Sequence, residues 1–480
     1  METSFDPLSP ETVPGNQLPP QPPPPAQIPE HLKMKVIPGY KKKKIMTISD
    51  HPLIPSGVGT QARYVIEGLL RTGKYTVRSW GAAMKHPDYR PQKIFPEIYN
   101  EDWFIWPMDG YGDRDKMRSF ILAEKPDVLL IVTDPRFYTW LFEMADEVLQ
   151  NMPIVYWHVW DNDPTPDFNQ AYYEGISGLA PLSLKTYGLV QDMERLGLYK
   201  GRYRYIPHAI PPETFKIVPE ADVQRFRNAK FGPHADKKFI LFWNNRNARR
   251  KMTGDIIDTF SQFMKVAGAG NVALLMQTQP KDPEGQDIVA LAKKFGVDQN
   301  MIISEQRVPA EELNLFYNAA DCTINIANNE GFGLGTLESL MCGTPIILHM
   351  TGGLQFQIGD WWEDQTFFGD QEKLTRIAKE RWQKKQGNWW GIPIFPATRS
   401  CTGSQPIPYI YDDRVSHEDT VKALLKMYEM GRPARKALGE AARPWAMKNF
   451  NMETLVKSFD EFITETMESH RAPQPRIVSL

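Results

Sequence analysis

Short runs of apolar residues alternate with longer segments in which apolar residues recur every three or four positions. The runs predict buried strands and the longer segments predict helices. The predicted strands of the first half lie at residues 45–48, 127–132, 154–157 and 203–206. Past residue 215 the pattern restarts, with strands predicted at residues 239–243, 272–276, 301–304, 322–326 and 345–348. The intervening helices are predicted at residues 256–266, 288–295, 311–320 and 336–342. This alternation predicts an α/β chain with two doubly wound domains, each a parallel sheet with helices on both faces.

A glycine-rich turn with Gly57 and Gly59 follows the first predicted strand. Beyond it, apolar residues take helical spacing as far as Leu70, which predicts a helix with Thr60 as N-cap and Gly73 as its end. A strand, a glycine turn and a helix in this order are typical of nucleotide-binding domains, because glycine lets the backbone approach a ligand closely. The turn lacks the full dinucleotide fingerprint, which argues against a nicotinamide enzyme.

A second glycine-rich turn, at residues 331–335, lies between two carboxylates, Glu330 and Glu338. The helix after it is predicted to have Thr336 as its cap and to end at Gly343. Backbone amides at such a turn bind phosphate, and carboxylates accept hydrogen bonds from sugar hydroxyls. The segment therefore predicts a nucleotide-sugar site. For Glu338 a structural role stays open, since the helix dipole favours a carboxylate near any helix N-terminus.

A basic loop at residues 244–251 follows the predicted strand at residues 239–243. Arg246 and Lys251 are spaced to reach one anion from this loop. Cations held in place there would stabilise the charge that develops on a departing diphosphate. The alternative is an ordinary solvated basic face.

His158 directly follows the predicted strand at residues 154–157, at the end of the strand where α/β domains bind ligands. This place leaves a catalytic role and a structural role equally open. Asp161 and Asp163 come next and match a short pattern that binds a divalent metal, but Pro164 favours an ordinary loop.

Three segments depart from the alternating pattern. Residues 1–38 are rich in proline and are predicted to be a disordered or polyproline tail, with docking to a partner as the alternative. Residues 361–405 contain five tryptophans and little periodicity, which predicts an insertion or an elaborated loop. Their aromatic rings serve either local packing or sugar stacking. Residues 455–463 predict an amphipathic terminal helix.

The formal net charge is -2, so the composition gives no reason to expect nucleic acid as a partner. The lysines at residues 41–44 form either a solvated strand entrance or a contact with an anionic substrate or membrane surface. Cys322, Cys342 and Cys401 show neither a disulfide framework nor zinc spacing. Without a long apolar run or an apolar signal core, a cytoplasmic protein is expected.

Residues 330–347, EGFGLGTLESLMCGTPII, resemble the Glu-x7-Glu signature of the retaining glycosyltransferases of family 4. Residues 56–60, 205–210 and 243–251 are similar to other segments of that family. The resemblance implies the GT-B architecture, in which two Rossmann-like domains face a cleft. It implies an acceptor domain at residues 39–215, a nucleotide-sugar domain at residues 216–440 and a helix at residues 441–480 that crosses back to the first domain.

The resemblance also assigns roles to residues. The implied catalytic residues are His158, Glu330, Arg246 and Lys251. The implied donor-binding residues are Arg246, Lys251, Glu330, Gly333, Leu334, Gly335, Thr336, Leu337, Glu338, Gly57 and Gly59. Glu338 would bind the ribose and Glu330 the transferred sugar. No cofactor and no metal ion are implied; the nucleotide-sugar is the substrate.

The sequence therefore predicts transfer of a sugar from a nucleotide-diphosphate donor to an acceptor hydroxyl, with retained anomeric configuration. The acceptor is left open among glycans, lipids, proteins and small molecules, with peripheral membrane contact as an option. Three alternatives are a glycoside hydrolase, a sugar-nucleotide epimerase and a non-catalytic nucleotide-sugar-binding module.

Overall fold

The computed structural model describes residues 30–54, 56–82, 86 and 88–473. The part of the predicted proline-rich tail at residues 1–29 lies outside the described residues. The rest of that tail begins with a single 3-10 turn at Glu30–Leu32, and the Lys35 amide donates to the Arg71 carbonyl.

The first domain is built on a sheet that has eight strands within the described residues, in the order β3-β4-β2-β1-β5-β6-β7-β8. Neighbouring strands are parallel except at β3, which runs antiparallel to β4. The strands are β1 Lys43–Asp50, β2 Tyr75–Ala82, β3 Gln92–Lys93, β4 Trp103–Pro107, β5 Val128–Val132, β6 Ile154–His158, β7 Gly178–Pro181 and β8 Arg202–Tyr203. The helices are α1 Gly57–Arg71, α2 Pro96–Tyr99, α3 Arg114–Glu124, α4 Thr139–Glu143, α5 Ala145–Leu149, α6 Gln170–Glu174 and α7 Leu184–Arg195.

The second domain has a parallel sheet with the order β11-β10-β9-β12-β13-β14. Its strands are β9 Phe239–Asn244, β10 Val272–Gln277, β11 Met301–Ser304, β12 Cys322–Asn325, β13 Ile346–His349 and β14 Gly391–Ile394. Its helices are α8 Glu220–Lys230, α9 Thr253–Ala267, α10 Ile288–Phe295, α11 Ala310–Ala319, α12 Leu334–Met341, α13 Gln371–Gln383, α14 His417–Glu429 and α15 Gly431–Asn449. In both domains the central strands are almost continuously apolar, because helices cover both faces of each sheet.

The prediction that residues 361–405 form an insertion or an elaborated loop is wrong for much of that segment. It contains α13, and β14 adds the sixth strand to the main sheet by pairing with β13. β14 was missed because Pro393 interrupts its short apolar run, which an edge strand tolerates. Trp361 is buried and donates to the Gln355 carbonyl at 2.9 Å, and Trp362 donates to the Phe356 carbonyl at 2.9 Å. These two tryptophans thus pack locally.

A two-stranded antiparallel hairpin follows β14, formed by β15 Thr398–Ser404 and β16 Ile407–Arg414. Every residue of β15 is exposed.

The helix α16 Met452–Ser469 returns to the first domain and packs against α1. Asp460 accepts hydrogen bonds from Lys74 at 2.6 Å and from the Tyr75 hydroxyl at 2.7 Å. α16, which follows the second domain in sequence, therefore contacts the first domain through both packing and hydrogen bonds.

The predicted strand at residues 203–206 is only partly regular, since β8 ends at Tyr203. The amides of Arg204 and Ile206 still donate to β7 carbonyls at 3.0 Å each, so the segment continues along the sheet edge without forming a full ladder.

Candidate active site at the domain boundary

Three turns from the two domains meet at one place. A Cβ added at Gly57 would lie 3.3 Å from the Leu334 side chain, so the glycine turns before α1 and before α12 are in contact. A Cβ added at Gly331 would lie 3.1 Å from the Val159 side chain, which follows β6. The two predicted glycine motifs and the end of β6 thus enclose one site.

The turn before α12 has a backbone conformation and a close side-chain contact that favour glycine. Gly333 has a φ of 91°, and a Cβ there would lie 2.4 Å from the Leu354 side chain. The predicted cap, Thr336, is wrong: α12 begins at Leu334, and its N-cap is Gly333. Gly333 has no side chain to accept a hydrogen bond, so no side chain caps the helix. An uncapped N-terminus at the domain boundary leaves amides available to an anionic ligand.

The first helix also begins earlier than predicted. Ser56, not Thr60, is the N-cap of α1, and its hydroxyl accepts from the Gly59 amide at 2.9 Å. Gly57 and Gly59 therefore lie in the first turn of α1. A Cβ at Gly59 would be 2.8 Å from the His51 carbonyl, which explains glycine at this position.

Glu330 is buried and lies at the centre of a cluster of charges. Its carboxylate forms an ion pair with Lys251 and a second one with Arg250 at 3.2 Å. Arg250 also lies 4.0 Å from Asp161 of the first domain. Burial alone would raise the pKa of Glu330, but the charges and hydrogen bonds of the two cations outweigh it and hold the pKa at about 2. Glu330 is thus a carboxylate over the whole neutral range.

Lys251 is as buried as its partner, with 9% of each side chain exposed. Burial lowers the pKa of Lys251 more than the charge of Glu330 raises it. A buried pair of this kind depends on both members, because either charge alone would be strongly unfavourable.

The prediction that Arg246 and Lys251 converge on one site is not reproduced by their contacts. Arg246 is half exposed and binds Asp282 with two hydrogen bonds, of 2.8 and 3.0 Å. Arg250 shares the partner of Lys251 instead. The loop sequence contains four cations, and nothing in their spacing shows which of them turn toward Glu330.

Glu338 lies in the second turn of α12 and is largely buried. The Tyr317 hydroxyl donates to its carboxylate at 2.7 Å and accepts from the Asn244 amide at 2.8 Å. Burial raises the pKa of Glu338 to about 7, and the hydrogen bond from Tyr317 only partly opposes this. Sequence reasoning missed Tyr317, because its position in α11 carries no signal of a contact with α12.

His158 ends β6 and is buried. Its Nε2 lies 2.5 Å from the Tyr173 hydroxyl, and its ring is stacked between Tyr156 and Tyr173 with centroids 5.1 Å away on each side. Burial lowers the pKa of His158 to about 3, so the imidazole is neutral. Its contacts are with these tyrosines rather than with Glu330, and its catalytic role stays a prediction.

The pair considered as metal ligands, Asp161 and Asp163, points to different partners. Asp161 faces Arg250, while Asp163 binds Lys185 and Arg399. Across the part of the chain that the structure describes, no group of three or more acidic, histidine or cysteine side chains is arranged to hold a metal ion.

Residues 225–379 match the family described as glycosyl transferases, group 1. This match is limited to about a third of the chain. The matched segment includes Glu330, Glu338 and Lys251, and the resemblance inferred from residues 330–347 is confirmed for this segment.

Curated relatives cover the chain in part. A D-inositol 3-phosphate glycosyltransferase from Segniliparus rotundus is 37% identical over 229 residues, which are 46% of this chain and 48% of the relative. A trehalose synthase from Pyrococcus horikoshii is 29% identical over 27% of this chain and 30% of the relative. The chain thus spans about half the length, or less, of these relatives.

Solved structures match nearly the whole chain. Sucrose-phosphate synthase from Thermosynechococcus elongatus has a TM-score of 0.66 at 16% identity, covering 89% of this chain and 100% of that one. HepE from Anabaena, in complex with UDP and glucose, has a TM-score of 0.59 at 12% identity, covering 88% and 100%. The predicted GT-B fold is confirmed. Among the described helices, none is long and apolar enough to cross a membrane.

Proposed function

We propose that the chain transfers a sugar from a nucleoside-diphosphate donor to an acceptor hydroxyl and retains the anomeric configuration. The observation that carries this proposal is the buried pair Glu330–Lys251, with the half-exposed Arg250 paired to the same carboxylate, beside the uncapped N-terminus of α12. One place thus combines amides for a diphosphate, cations for its charge and a carboxylate for sugar hydroxyls.

The donor lies along α12 in this proposal. Its diphosphate binds the amides at residues 333–335 and the cations Arg250 and Lys251, since the amides of Thr336 and Leu337 already donate to the Gly333 carbonyl. Its ribose donates hydrogen bonds to Glu338, and its sugar donates to Glu330. Glu330 is suited to this because its low pKa keeps it ionised, and Lys251 and Arg250 fix its position.

In the chemical step, the bond between the anomeric carbon and the diphosphate oxygen breaks, and the acceptor oxygen bonds to the same face of the sugar. The acceptor proton passes to the departing phosphate oxygen. Two features support this route. Glu330 is already engaged by two cations, and His158 is hydrogen-bonded among tyrosines, so neither is arranged as a free base.

We also propose that the reaction needs no metal ion, because Lys251 and Arg250 can offset the diphosphate charge. Full transfer activity in excess EDTA is expected, measured as nucleoside diphosphate released per unit time. A loss of activity that added Mg²⁺ restores would contradict this point.

The relatives suggest the first probes. HepE has been solved with UDP-glucose, and several relatives are D-inositol 3-phosphate glycosyltransferases. We therefore propose UDP-glucose as donor and D-inositol 3-phosphate as the first acceptor to test. UDP is expected to raise the thermal midpoint of the protein, since a ligand that binds only the native state stabilises it.

The decisive assay identifies the products. Transfer yields a glycosylated acceptor plus nucleoside diphosphate, an epimerase yields a changed nucleotide-sugar, and a hydrolase acts on a glycoside without any nucleotide. Glu330→Gln keeps the shape of the side chain but removes its charge. It is expected to lower transfer while UDP binding through α12 persists. Equal transfer rates for Glu330→Gln and the unchanged protein would refute the role of Glu330.

A further inference from the structure

The hairpin β15–β16 belongs to the second domain but contacts the first. The Tyr411 amide donates to the Asp163 carbonyl at 2.7 Å, and the Asn162 side chain donates to the Tyr411 carbonyl at 3.0 Å. Both partners lie in the segment 161–168, which follows β6. One hairpin residue is therefore bonded to the first domain in both directions.

The same hairpin residue is bonded to the neighbour of Glu330. The Asn329 side chain donates to the Tyr411 carbonyl at 3.1 Å and to the Asp412 carboxylate at 3.0 Å. Asn162 and Asn329 thus share one acceptor, although they come from different domains. Each is adjacent in sequence to a charged residue of the site, Asp161 and Glu330.

A chain of alternating charges fixes the base of the hairpin. Asp163 binds Lys185 of the first domain and, at 3.4 Å, Arg399 of the hairpin. Arg399 also binds Asp413 at 2.7 Å, and Asp413 accepts a hydrogen bond from the Thr351 hydroxyl at 2.8 Å. Lys185 is 1% exposed and Asp413 is 4% exposed, so the two ends of this chain of charges are buried, while Arg399 between them is 30% exposed.

The far part of the hairpin holds the other end of the same segment. The Tyr409 hydroxyl donates to Asp167, and the Tyr409 ring meets the Phe168 ring edge to face at 5.1 Å between centroids. The hairpin therefore contacts the segment 161–168 at both ends.

We propose that the hairpin β15–β16 is an interdomain clasp, in which Arg399 holds Asp163 and so positions Asp161 against Arg250 and Glu330. The effect of the clasp on catalysis rests on the proposed sugar transfer. The contact between the domains does not. Arg399 is a positioning residue: it contacts Asp163, Asp413 and, at 5.4 Å from the centroid, the Tyr411 ring.

The first experiment measures the clasp without any substrate. Hydrogen exchange of the Tyr411 amide reports its bond to the first domain. Arg399→Ala is expected to speed this exchange by about tenfold or more, while amides of β9 stay as protected as before. Arg414→Ala is the matched control, since Arg414 is exposed on the same hairpin and makes none of the contacts described above. Unchanged exchange in Arg399→Ala, or equal acceleration in Arg414→Ala, overturns the clasp.

The second experiment measures its effect on the site, with UDP and UDP-glucose as probes. Arg399→Ala is expected to leave the UDP dissociation constant within about twofold, because the hairpin bonds described above reach Asn329 and the segment 161–168 rather than the amides of α12. It is expected to lower kcat for UDP-glucose turnover by about tenfold. Arg399→Lys, which keeps the charge, is expected to recover part of kcat. An unchanged kcat in a variant with accelerated exchange overturns the positioning role.

The two proposals can fail separately. If the unaltered protein neither binds UDP nor turns over UDP-glucose, the proposed function fails, and the exchange result alone decides whether the clasp exists.

Discussion

At the scale of single residues, the pair Lys251–Glu330 combines structure and proposed chemistry. Both side chains are 9% exposed, and each neutralises the other. For Glu330 the folded pKa is about 2, below the ordinary value of 4.5. Its contribution to stability is therefore complete above pH 4.5 and is lost as the pH falls from there toward 2.

Removing one partner is expected to destabilise the fold strongly. Lys251→Met leaves Glu330 with Arg250 as its remaining cation and is expected to lower the free energy of unfolding by about 3 kcal/mol, measured by urea denaturation. The control is Lys251→Met combined with Glu330→Leu, which removes both charges and is expected to recover most of the loss. A single variant as stable as the unaltered protein would show that the pair is not buried in solution.

The proposed ribose contact of Glu338 is expected to make nucleotide binding depend on pH near neutrality. Its pKa is raised to about 7, and ribose hydroxyls donate to the ionised form. Binding should therefore tighten as the pH rises through 7, by about tenfold between about pH 6 and about pH 8. The measurement is the dissociation constant of UDP-glucose by calorimetry. Glu338→Gln does not titrate and is expected to give a flat profile; the same slope in both proteins would contradict the role of Glu338.

The raised pKa of Glu338 has the opposite effect on the stability of the protein without nucleotide. Between pH 4.5 and about 7 the folded state binds a proton at Glu338 that the unfolded state has released. The contribution of Glu338 to stability therefore decreases as the pH rises through this range, whereas nucleotide binding is expected to become tighter.

At the scale of elements, the turn before α12 depends on one glycine. Gly333→Ala is expected to lower the free energy of unfolding by about 1–3 kcal/mol, because alanine at a φ of 91° is strained and meets Leu354. It is also expected to weaken UDP binding, measured by thermal shift. The control is Gly270→Ala, where an added Cβ meets nothing within 4 Å. Equal behaviour of the two variants would argue against the turn as a phosphate site.

The sequence predicts an element well when its apolar periodicity and its end signals lie within the element or next to it. The predicted helix at residues 288–295 agrees with α10 at both ends, since Asp287 caps it and Gly296 ends it. β2 was missed because Arg78 and Ser79 interrupt its apolar pattern. The strand lies inside the sheet, between β4 and β1, where Arg78 donates to Glu124 and the Ser79 hydroxyl accepts from the Trp103 indole.

In the candidate site, too, the features encoded in one segment were predicted and those that depend on tertiary contacts were not. Glu330, Glu338 and the glycine turn lie in one segment, so their spacing is visible in the sequence. The choice between Arg246 and Arg250 as partner of Glu330, and the contact between Tyr317 and Glu338, depend on tertiary packing. No periodicity in the chain encodes such contacts.

At the scale of the whole molecule, α16 and α1 pack closely. A Cβ at Gly68 of α1 would lie 2.1 Å from the Val456 side chain of α16. Gly68→Ala is therefore expected to push α16 away and to lower the free energy of unfolding by about 1–3 kcal/mol. Gly68→Ala combined with Val456→Ala makes room for the added methyl group and is expected to restore part of the loss. The measurement is thermal unfolding; no difference between the single and double variants would contradict this packing.

The return of α16 also determines when the first domain can finish folding. α16 covers an apolar face of α1, and the ribosome synthesises α16 only after the whole second domain. At roughly 5–20 residues per second, the ribosome delivers that cover tens of seconds after α1 emerges. During this interval the nascent first domain exposes a surface suited to chaperones, and a ribosome stalled before Met452 would release a chain with a complete second domain and an unfinished first one.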